Sequence, residues 1–317
     1  MSAGSEPRPP IVVPDAARRR ALDAGPAGRA WLEALPALVA RVEHDWGLRL
    51  ERVFDGGTES FVALVRLADG EAGVLKLAIP GAGSPTRAMH VLRQADGRGY
   101  ARLLRHDESG EAMLLEALGG RLADLGWPVP RQLEAVCATL EAAWRPPEDP
   151  GLFPTGAEKA EAMAGFIADL HRTLAGAASD RAVRQALDFC ERRRRAWDPA
   201  RAVLAHADAH SMNTLADPHR EGAFKFVDPE GLYIEREYDL AIPMREWGDE
   251  LLAGDPVALG RARCRFLADR LCLDEEAIWQ WGVIERLATG LLLVKLGLTD
   301  WARPFLAVSE AWAAAGT

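Results

Sequence analysis

The feature that most constrains this chain is a polar loop between apolar segments in its second half. The loop reads His206-Ala-Asp208-Ala-His210-Ser-Met-Asn213 and follows an apolar run at residues 203–205. A later apolar run at residues 224–227 ends in Asp228. Because short apolar runs bounded by polar residues are typical of buried strands, the sequence predicts two strands that each lead into a segment carrying an aspartate.

The spacing His-x-Asp-x-x-x-x-Asn, with an aspartate on the next strand, is typical of phosphoryl transfer. Asp208 can accept the proton of an attacking hydroxyl and aim its lone pair. Asn213 and Asp228 offer an amide oxygen and a carboxylate, which are hard ligands suited to Mg²⁺. His206 is expected to brace the loop. A lone His-x-Asp occurs often by chance, so the prediction depends on the full set.

The hydrophobic period changes along the chain, and this change predicts the fold class. Residues 28–46 have helical spacing, residues 50–77 and 100–115 contain short β-rich runs, and residues 86–94 form one helix between them. Amphipathic helices follow over 130–144, 158–173 and 180–197, and again from residue 238 to the end. A sheet followed by helices predicts an α+β, two-lobed protein. The predicted divisions are a tail and helix at 1–46, an N-lobe at 47–118 and a C-lobe at 119–317.

Composition narrows the class of protein. Lys plus Arg number 38 and Asp plus Glu 47, giving a net charge of -9, which argues against a nucleic-acid surface and mildly favours cationic small molecules. The four cysteines form no C-x-x-C pair, so they are expected to be reduced thiols rather than zinc ligands. The polar, Pro-rich first residues lack a signal-peptide core and no apolar run could span a bilayer. We therefore expect a cytoplasmic protein without membrane or nucleic-acid partners.

These motifs resemble the aminoglycoside phosphotransferase family. The segment from Asp228 to Gly231 is similar to that family's counterpart of the kinase D-F-G, and residues 237–240 with 244–247 most resemble its streptomycin and hydroxyurea kinase branch. The resemblance covers nearly all of the chain from Arg29 onward. It implies a protein-kinase-like fold, with an antiparallel sheet and a helix in the N-lobe, a mostly helical C-lobe and ATP between them. One departure is Ala207, where many members have glycine, and alanine is expected to be tolerated if that backbone is not at positive φ.

The resemblance also implies where the nucleotide binds. Lys76, in an apolar strand, would contact the α and β phosphates, although a strand lysine is often only an edge charge. Backbone groups of Glu116 and Leu118 would read adenine, with GTP not excluded. The helix at residues 84–94 has no acidic residue, so Lys76 lacks the glutamate that kinases place there. The loop expected over the phosphates, which could equally be a plain hairpin turn, contains Gly56, Gly57, Thr58 and Ser60.

The segment from Asp228 to Glu250 is rich in acids. We expect Asp239 to cap a helix or to brace the catalytic loop, while Glu235, Glu237 and Glu246 could line a cleft for a cationic acceptor. The alternative is an ordinary solvated acidic face. Trp247, Trp279 and Trp281 could wall such a cleft or lie in the core.

The resulting functional hypothesis is ATP- and Mg²⁺-dependent phosphorylation of a hydroxyl on a small molecule. The family branch implies streptomycin-like aminoglycosides or hydroxyurea as acceptors. Two alternatives stay open, namely a kinase of an ordinary metabolite and a nucleotide-binding pseudokinase that acts as a scaffold. The sequence leaves the oligomeric state undetermined.

Overall fold

The computed structural model describes residues 11–55, 57 and 59–316. The described chain divides after Gly119 into two compact units, which we call the first unit and the second unit. The predicted lobe boundary lies one residue earlier, and the first unit also includes the N-terminal helical region. None of the helices in this part of the chain is long and apolar enough to cross a membrane.

An antiparallel sheet forms the centre of the first unit. Over the described residues it has five strands in the order β1-β2-β3-β5-β4. The helix α3 follows β3, as the sequence predicts, although several element ends differ from the predicted ones. The elements of this unit are α1 (Asp15–Asp23), α2 (Gly25–Trp46), β1 (Leu48–Val53), β2 (Ser60–Leu67), β3 (Ala72–Ala78), α3 (Pro85–Ala95), β4 (Leu103–His106) and β5 (Ala112–Glu116).

One face of this sheet packs against α2. Leu75 and Leu77 of β3 are buried in the same cluster as Leu35 and Val39 of α2. Successive strand residues point to opposite faces of a sheet, so the intervening Lys76 lies on the other face. Burial therefore alternates along β3 and leaves Lys76 half-buried.

The helix α1 was not predicted, because within the predicted tail and helix at 1–46 only residues 28–46 showed helical spacing. Ala17 and Ala21 of α1 are fully buried, and a Cβ atom on Gly28 would lie 1.7 Å from the Ala21 carbonyl oxygen. Small side chains thus allow α1 and α2 to approach closely. A segment of alanines and arginines has few large apolar residues, so hydrophobic spacing gives little sign of this helix.

The second unit is mostly helical and holds short strand pairs. Among its described residues, β6 pairs with β9 and β7 pairs with β8, both antiparallel. The predicted α+β class, with a sheet-containing first part and a helical second part, is confirmed. The elements of this unit are α4 (Val129–Ala143), α5 (Gly156–Thr173), α6 (Asp180–Ala196), β6 (Ala202–Ala205), β7 (Thr214–Ala216), β8 (Phe224–Phe226), β9 (Leu232–Glu235), α7 (Arg236–Arg245), α8 (Gly248–Leu252), α9 (Pro256–Leu271), α10 (Glu275–Lys295) and α11 (Thr299–Ala315).

The helix α10 runs through the core of the second unit. Asp274 caps its start by accepting hydrogen bonds from the backbone N–H groups of Glu276 and Ala277, as expected of an N-cap aspartate. Trp279 and Trp281 are almost fully buried, and Trp279 packs against Trp312 with ring centroids 4.5 Å apart. These two tryptophans are therefore core residues and do not wall an open cleft.

Candidate active site

A buried carboxylate holds the loop that follows β6. Asp239 of α7 accepts the backbone N–H of His206 at 3.1 Å and that of Ala207 at 2.7 Å. It also accepts the indole N–H of Trp144 at 2.8 Å. Burial raises the pKa of Asp239, yet both its oxygens act as acceptors here. Asp239 thus lies where a residue that braces the loop should lie.

His206 fixes the loop from inside. Its Nδ1 must accept, because the group beside it at 3.0 Å is the backbone N–H of Asp208. Its Nε2 therefore carries the proton and donates to the Val227 carbonyl at 2.9 Å. Burial lowers the pKa of His206, which favours this neutral tautomer. The geometry suits a bracing role and leaves no ring nitrogen for proton transfer to a substrate.

Ala207 lies in the left-handed region with φ of 70°. We expected alanine to be tolerated on the condition that φ was not positive, and that condition is wrong. Left-handed backbone is costly for residues with a Cβ, so the hydrogen bonds from His206 and Ala207 to Asp239 must over-determine the turn.

Replacing Ala207 by glycine should leave the free energy of unfolding within about 1 kcal/mol of wild type. Relief of about 1–2 kcal/mol of left-handed strain should offset the lost methyl burial and the added chain entropy of glycine. Ala209→Gly is the matched control, because Ala209 is also buried and is not among the positive-φ residues. This control should lose about 1–2 kcal/mol. Urea titration measures both variants, and equal losses would show that Ala207 is unstrained.

Asp208, the predicted base, is held at both carboxylate oxygens. Oδ1 accepts from Arg245 Nη2 at 2.5 Å, and Oδ2 lies 3.1 Å from His210 Nε2 and 3.2 Å from Asn213 Nδ2. Burial alone would raise the pKa of Asp208, but the hydrogen bond from His210 and the charge of Arg245 outweigh it and hold that pKa well below its usual range. Asp208 is therefore an oriented anion.

The predicted metal ligands are neighbours because β7 pairs with β8. The backbone N–H of Val227 donates to the Asn213 carbonyl at 3.0 Å, and the exposed Asp228 follows directly with φ of 57°. Since the Asn213 side-chain nitrogen donates to Asp208, its amide oxygen is the atom suited to a cation. An amide oxygen and a carboxylate on neighbouring backbone segments are ligand types that fit Mg²⁺.

No group of three or more His, Cys, Asp or Glu side chains in the described residues could hold a metal by itself. Magnesium in phosphoryl-transfer enzymes usually takes one or two protein ligands together with substrate phosphates and water. The pair formed by Asn213 and Asp228 matches that pattern.

The first unit places the nucleotide candidates around its sheet. Lys76 pairs across the sheet with Val62 and Met113. A Cβ atom on Gly57 would lie 2.3 Å from the Ser60 carbonyl oxygen, so only glycine fits there, whereas Gly56 and Thr58 lie outside the described residues. Ser60 is buried, which makes its hydroxyl poorly suited to contact a phosphate.

Glu116 closes the strand β5, and Leu118 lies in the irregular segment after it. The Glu116 backbone N–H donates to the Arg102 carbonyl at 3.0 Å, and its carboxylate accepts the Arg102 N–H at 2.7 Å. The predicted adenine contact of Glu116 would therefore have to use its carbonyl oxygen.

The structure changes the prediction for two of the three acceptor acids. Glu235 is buried, accepts Trp281 Nε1 at 2.6 Å and pairs with Arg193 at 3.1 Å. Glu237 is 2% exposed and pairs with Arg201. Both stabilise the packing around α7 and neither can line an open cleft.

Glu246 differs from these two acids. It is half-buried and accepts a hydrogen bond of 3.4 Å from the hydroxyl of Ser211, in the loop that carries Asp208. Glu246 therefore stays the candidate for an acceptor contact, beside Asp208's own loop.

Sequence reasoning missed two residues, one in α7 and one in α10, that hold Asp208 in place. Arg245 was noted only as part of the segment 244–247 that resembles the streptomycin and hydroxyurea kinase branch, and Glu285, which pairs with it at 3.2 Å, was not noted. A glutamate in a helix as apolar as α10 was the available signal, because buried charges require partners.

Comparisons with known proteins agree with this geometry. The family model described as aminoglycoside/hydroxyurea antibiotic resistance kinase matches residues 46–296. A streptomycin 6-kinase of Streptomyces griseus is 34% identical over 96% of this chain and 97% of its own. A hydroxyurea phosphotransferase of Kitasatospora aureofaciens is 33% identical over 76% of this chain and 72% of its own.

The fold has solved relatives as well. Aminoglycoside phosphotransferase APH(3'')-Id of Streptomyces rimosus, in complex with ADP and streptomycin, has a TM-score of 0.52 at 18% identity, over 80% of this chain and 98% of that one. This likeness confirms the predicted kinase-like fold, and the family match with the two curated relatives confirms the predicted phosphotransferase activity toward a hydroxyl. The chain belongs to the aminoglycoside/hydroxyurea antibiotic resistance kinase family.

Proposed function

We propose that this enzyme transfers the γ-phosphoryl group of ATP, with Mg²⁺, to a hydroxyl of a streptomycin-like aminoglycoside. The observation that carries the proposal is the Asp208 carboxylate, oriented by Arg245, His210 and Asn213 beside the Asn213 and Asp228 pair. The 34% identity to a streptomycin 6-kinase over nearly the whole chain supports the acceptor class.

The residues of the second unit at and around Asp208 then have separate roles. Asp208 accepts a hydrogen bond from the acceptor hydroxyl and aims its lone pair at the γ-phosphorus. Because the pKa of Asp208 is depressed, the hydroxyl proton passes to it late, as the new O–P bond forms and the bond to ADP breaks. His206 and Asp239 keep the loop in place.

The oxygens of Asn213 and Asp228 would hold the magnesium ion. When bound, the ion neutralises phosphate charge. In the first unit, Lys76 and the backbone at Gly57 are the groups suited to phosphate oxygens.

Hydroxyurea is the second candidate acceptor, because one relative at 33% identity is named as a hydroxyurea phosphotransferase. The residues near Asp208 favour the larger, cationic molecule. Glu246 contacts the catalytic loop and Glu230 is exposed close to it, since its backbone N–H donates to the His206 carbonyl at 2.9 Å. Acidic side chains beside the base attract a cation, whereas a small neutral molecule gains little electrostatic attraction from them.

The test is an acceptor panel of streptomycin, hydroxyurea and a neutral sugar with ATP and Mg²⁺, and product mass is the measurement. We expect streptomycin to gain the mass of one phosphoryl group. Its kcat/KM should be the highest of the three acceptors. Preference for the neutral acceptors would contradict the acceptor assignment. Nucleotide binding without transfer to any acceptor would favour the scaffold alternative.

Replacing Glu246 by glutamine should raise the KM for streptomycin by about 2–5-fold, since an exposed or half-exposed charge pair contributes up to about 1 kcal/mol. The KM for ATP should stay unchanged. Added salt should weaken acceptor binding to wild type more than to the variant, because screening acts on charge pairs. Glu134→Gln, at a surface glutamate paired with Arg270, is the control. If the KM for streptomycin changes neither with salt nor with the substitution, Glu246 has no role in acceptor binding.

A further inference from the structure

Arg245 joins the catalytic loop to the helical core of the second unit. It is the last residue of α7, and its guanidinium uses both terminal nitrogens. Nη2 donates to Asp208 Oδ1 at 2.5 Å, and Nη1 donates to Glu285 Oε2 at 3.2 Å. The Arg245 side chain is 16% exposed and that of Glu285 is 6% exposed. A planar guanidinium held by carboxylates at both ends has a fixed orientation.

Glu285, which binds Arg245 on the side away from Asp208, is itself held by other residues. Tyr238 donates its hydroxyl to Glu285 Oε1 at 2.5 Å, and its ring packs edge-on against Trp281 with centroids 4.9 Å apart. Lys159 of α5 adds a cation 3.7 Å from the same oxygen. Glu285 is therefore tied to α5, α7 and α10 and cannot follow Arg245 if the latter moves.

The backbone around Arg245 is fixed as well. Arg263 donates to the Glu246 carbonyl at 2.8 Å. Arg286 donates to the carbonyls of Met244 at 2.8 Å and Glu246 at 3.0 Å. Two buried guanidinium groups thus bind carbonyls on both sides of Arg245, where the end of a helix leaves such groups unsatisfied. Trp247 then leaves the helix at φ of 51°.

We infer that Arg245 is a positioning residue for the Asp208 carboxylate, backed by Glu285, and this inference rests on the proposed function of that carboxylate as the base. Arg245 holds Oδ1 while His210 and Asn213 hold Oδ2, so rotation of the carboxylate about χ2 would break contacts at both oxygens. A carboxylate oxygen has more than one acceptor direction, which leaves room for the acceptor hydroxyl to donate. Both terminal nitrogens of Arg245 already donate to carboxylates, one to Asp208 and the other to Glu285.

The test compares Arg245→Lys and Arg245→Met with wild type. Lysine keeps the charge but cannot bridge two carboxylates with a planar fork, and methionine removes the charge. We expect kcat to fall by about tenfold for lysine and by about 10²-fold for methionine, since misplacement of a reacting group by about 1 Å costs that much. The KM values for ATP and acceptor should stay within about twofold, as expected when ground-state binding is retained.

Arg193 supplies the matched controls. Its side chain is 11% exposed and pairs with Glu235 at 3.1 Å, so Arg193→Lys and Arg193→Met remove a similarly buried guanidinium that contacts neither Asp208 nor its loop. Their kcat should match wild type. If Arg245→Met does not fold, Arg245→Lys and Glu285→Gln decide, because Glu285→Gln keeps an acceptor for Tyr238 and still weakens the hold on Arg245.

Three outcomes would overturn the inference. An unchanged kcat would mean that Asp208 needs no support from Arg245. A raised kcat would mean that Arg245 restrains the base. A raised acceptor KM at unchanged kcat would make Arg245 a binding group.

A structural measurement separates this inference from the proposed function. Crystal structures of wild type and Arg245→Met should show one Asp208 orientation in the former and several in the latter. If wild type phosphorylates none of the acceptors, the proposed function fails, and these structures still decide the inference. One unchanged Asp208 orientation in both proteins would refute it.

Discussion

Replacing Asp208 by asparagine is expected to lower turnover by about 10²–10⁴-fold, the usual contribution of a positioned acid–base group. The variant keeps the size of the side chain but cannot take the hydroxyl proton. Its amide nitrogen would also meet the donors of Arg245, His210 or Asn213, which now surround a carboxylate. Because Asp208 is partly exposed at the loop and Asp239 supports the backbone from below, the fold and the affinity for ATP should be retained.

Steady-state kinetics and nucleotide titration measure this prediction together. Asp217→Asn is a suitable control, because Asp217 is a half-buried aspartate that pairs with Lys225 at 3.9 Å just beyond β7. Its turnover should remain close to wild type. Near-full turnover of Asp208→Asn would exclude Asp208 as the base, whatever the acceptor.

Spacing along the chain was enough to predict that the residues of the loop around Asp208 lie together, because the geometry of this loop is local. His206, Asp208 and Asn213 lie within eight residues, and the strands that hold them are short and apolar. Asp228 could be predicted as a neighbour for the same reason, since antiparallel pairing of β7 with β8 brings it beside Asn213. The sheet of the first unit was predicted because its strands are separated by clear turn residues.

The residues that were misread are those whose role depends on burial. A count of acids from Asp228 to Glu250 cannot show that α7 is buried on nearly all sides, so Glu235 and Glu237 looked available and are not. Arg245 meets Asp208 across 37 residues and Glu285 across 40. Contacts at that separation depend on how α7 packs against α10, which neither spacing nor charge counts specify.

Replacing Asp228 by alanine is the second change with a large expected effect. Asp228 supplies the anionic ligand of the proposed magnesium pair, and Asn213 alone offers only a neutral oxygen. Metal-assisted stabilisation of phosphate charge amounts to several kcal/mol, and each 1.4 kcal/mol is tenfold in rate. We therefore expect turnover to fall by about 10³-fold or more, and ATP affinity measured with Mg²⁺ to fall to the value measured without it.

The dependence of ATP affinity on Mg²⁺ is more informative than the loss of turnover, because any damaging substitution can lower activity. Asp228 is exposed in the irregular segment after β8 and has φ of 57°, so its replacement by alanine should lower the free energy of unfolding without nucleotide by no more than about 1–2 kcal/mol. What should vanish is the difference between titrations of ATP with and without Mg²⁺, which isothermal calorimetry resolves. Asp249→Ala, at an exposed acid of α8, should keep that difference intact. If Asp228→Ala still binds ATP more tightly with Mg²⁺ than without it, the ion is held by other groups, and Asn213 and Asp228 are not the magnesium ligands.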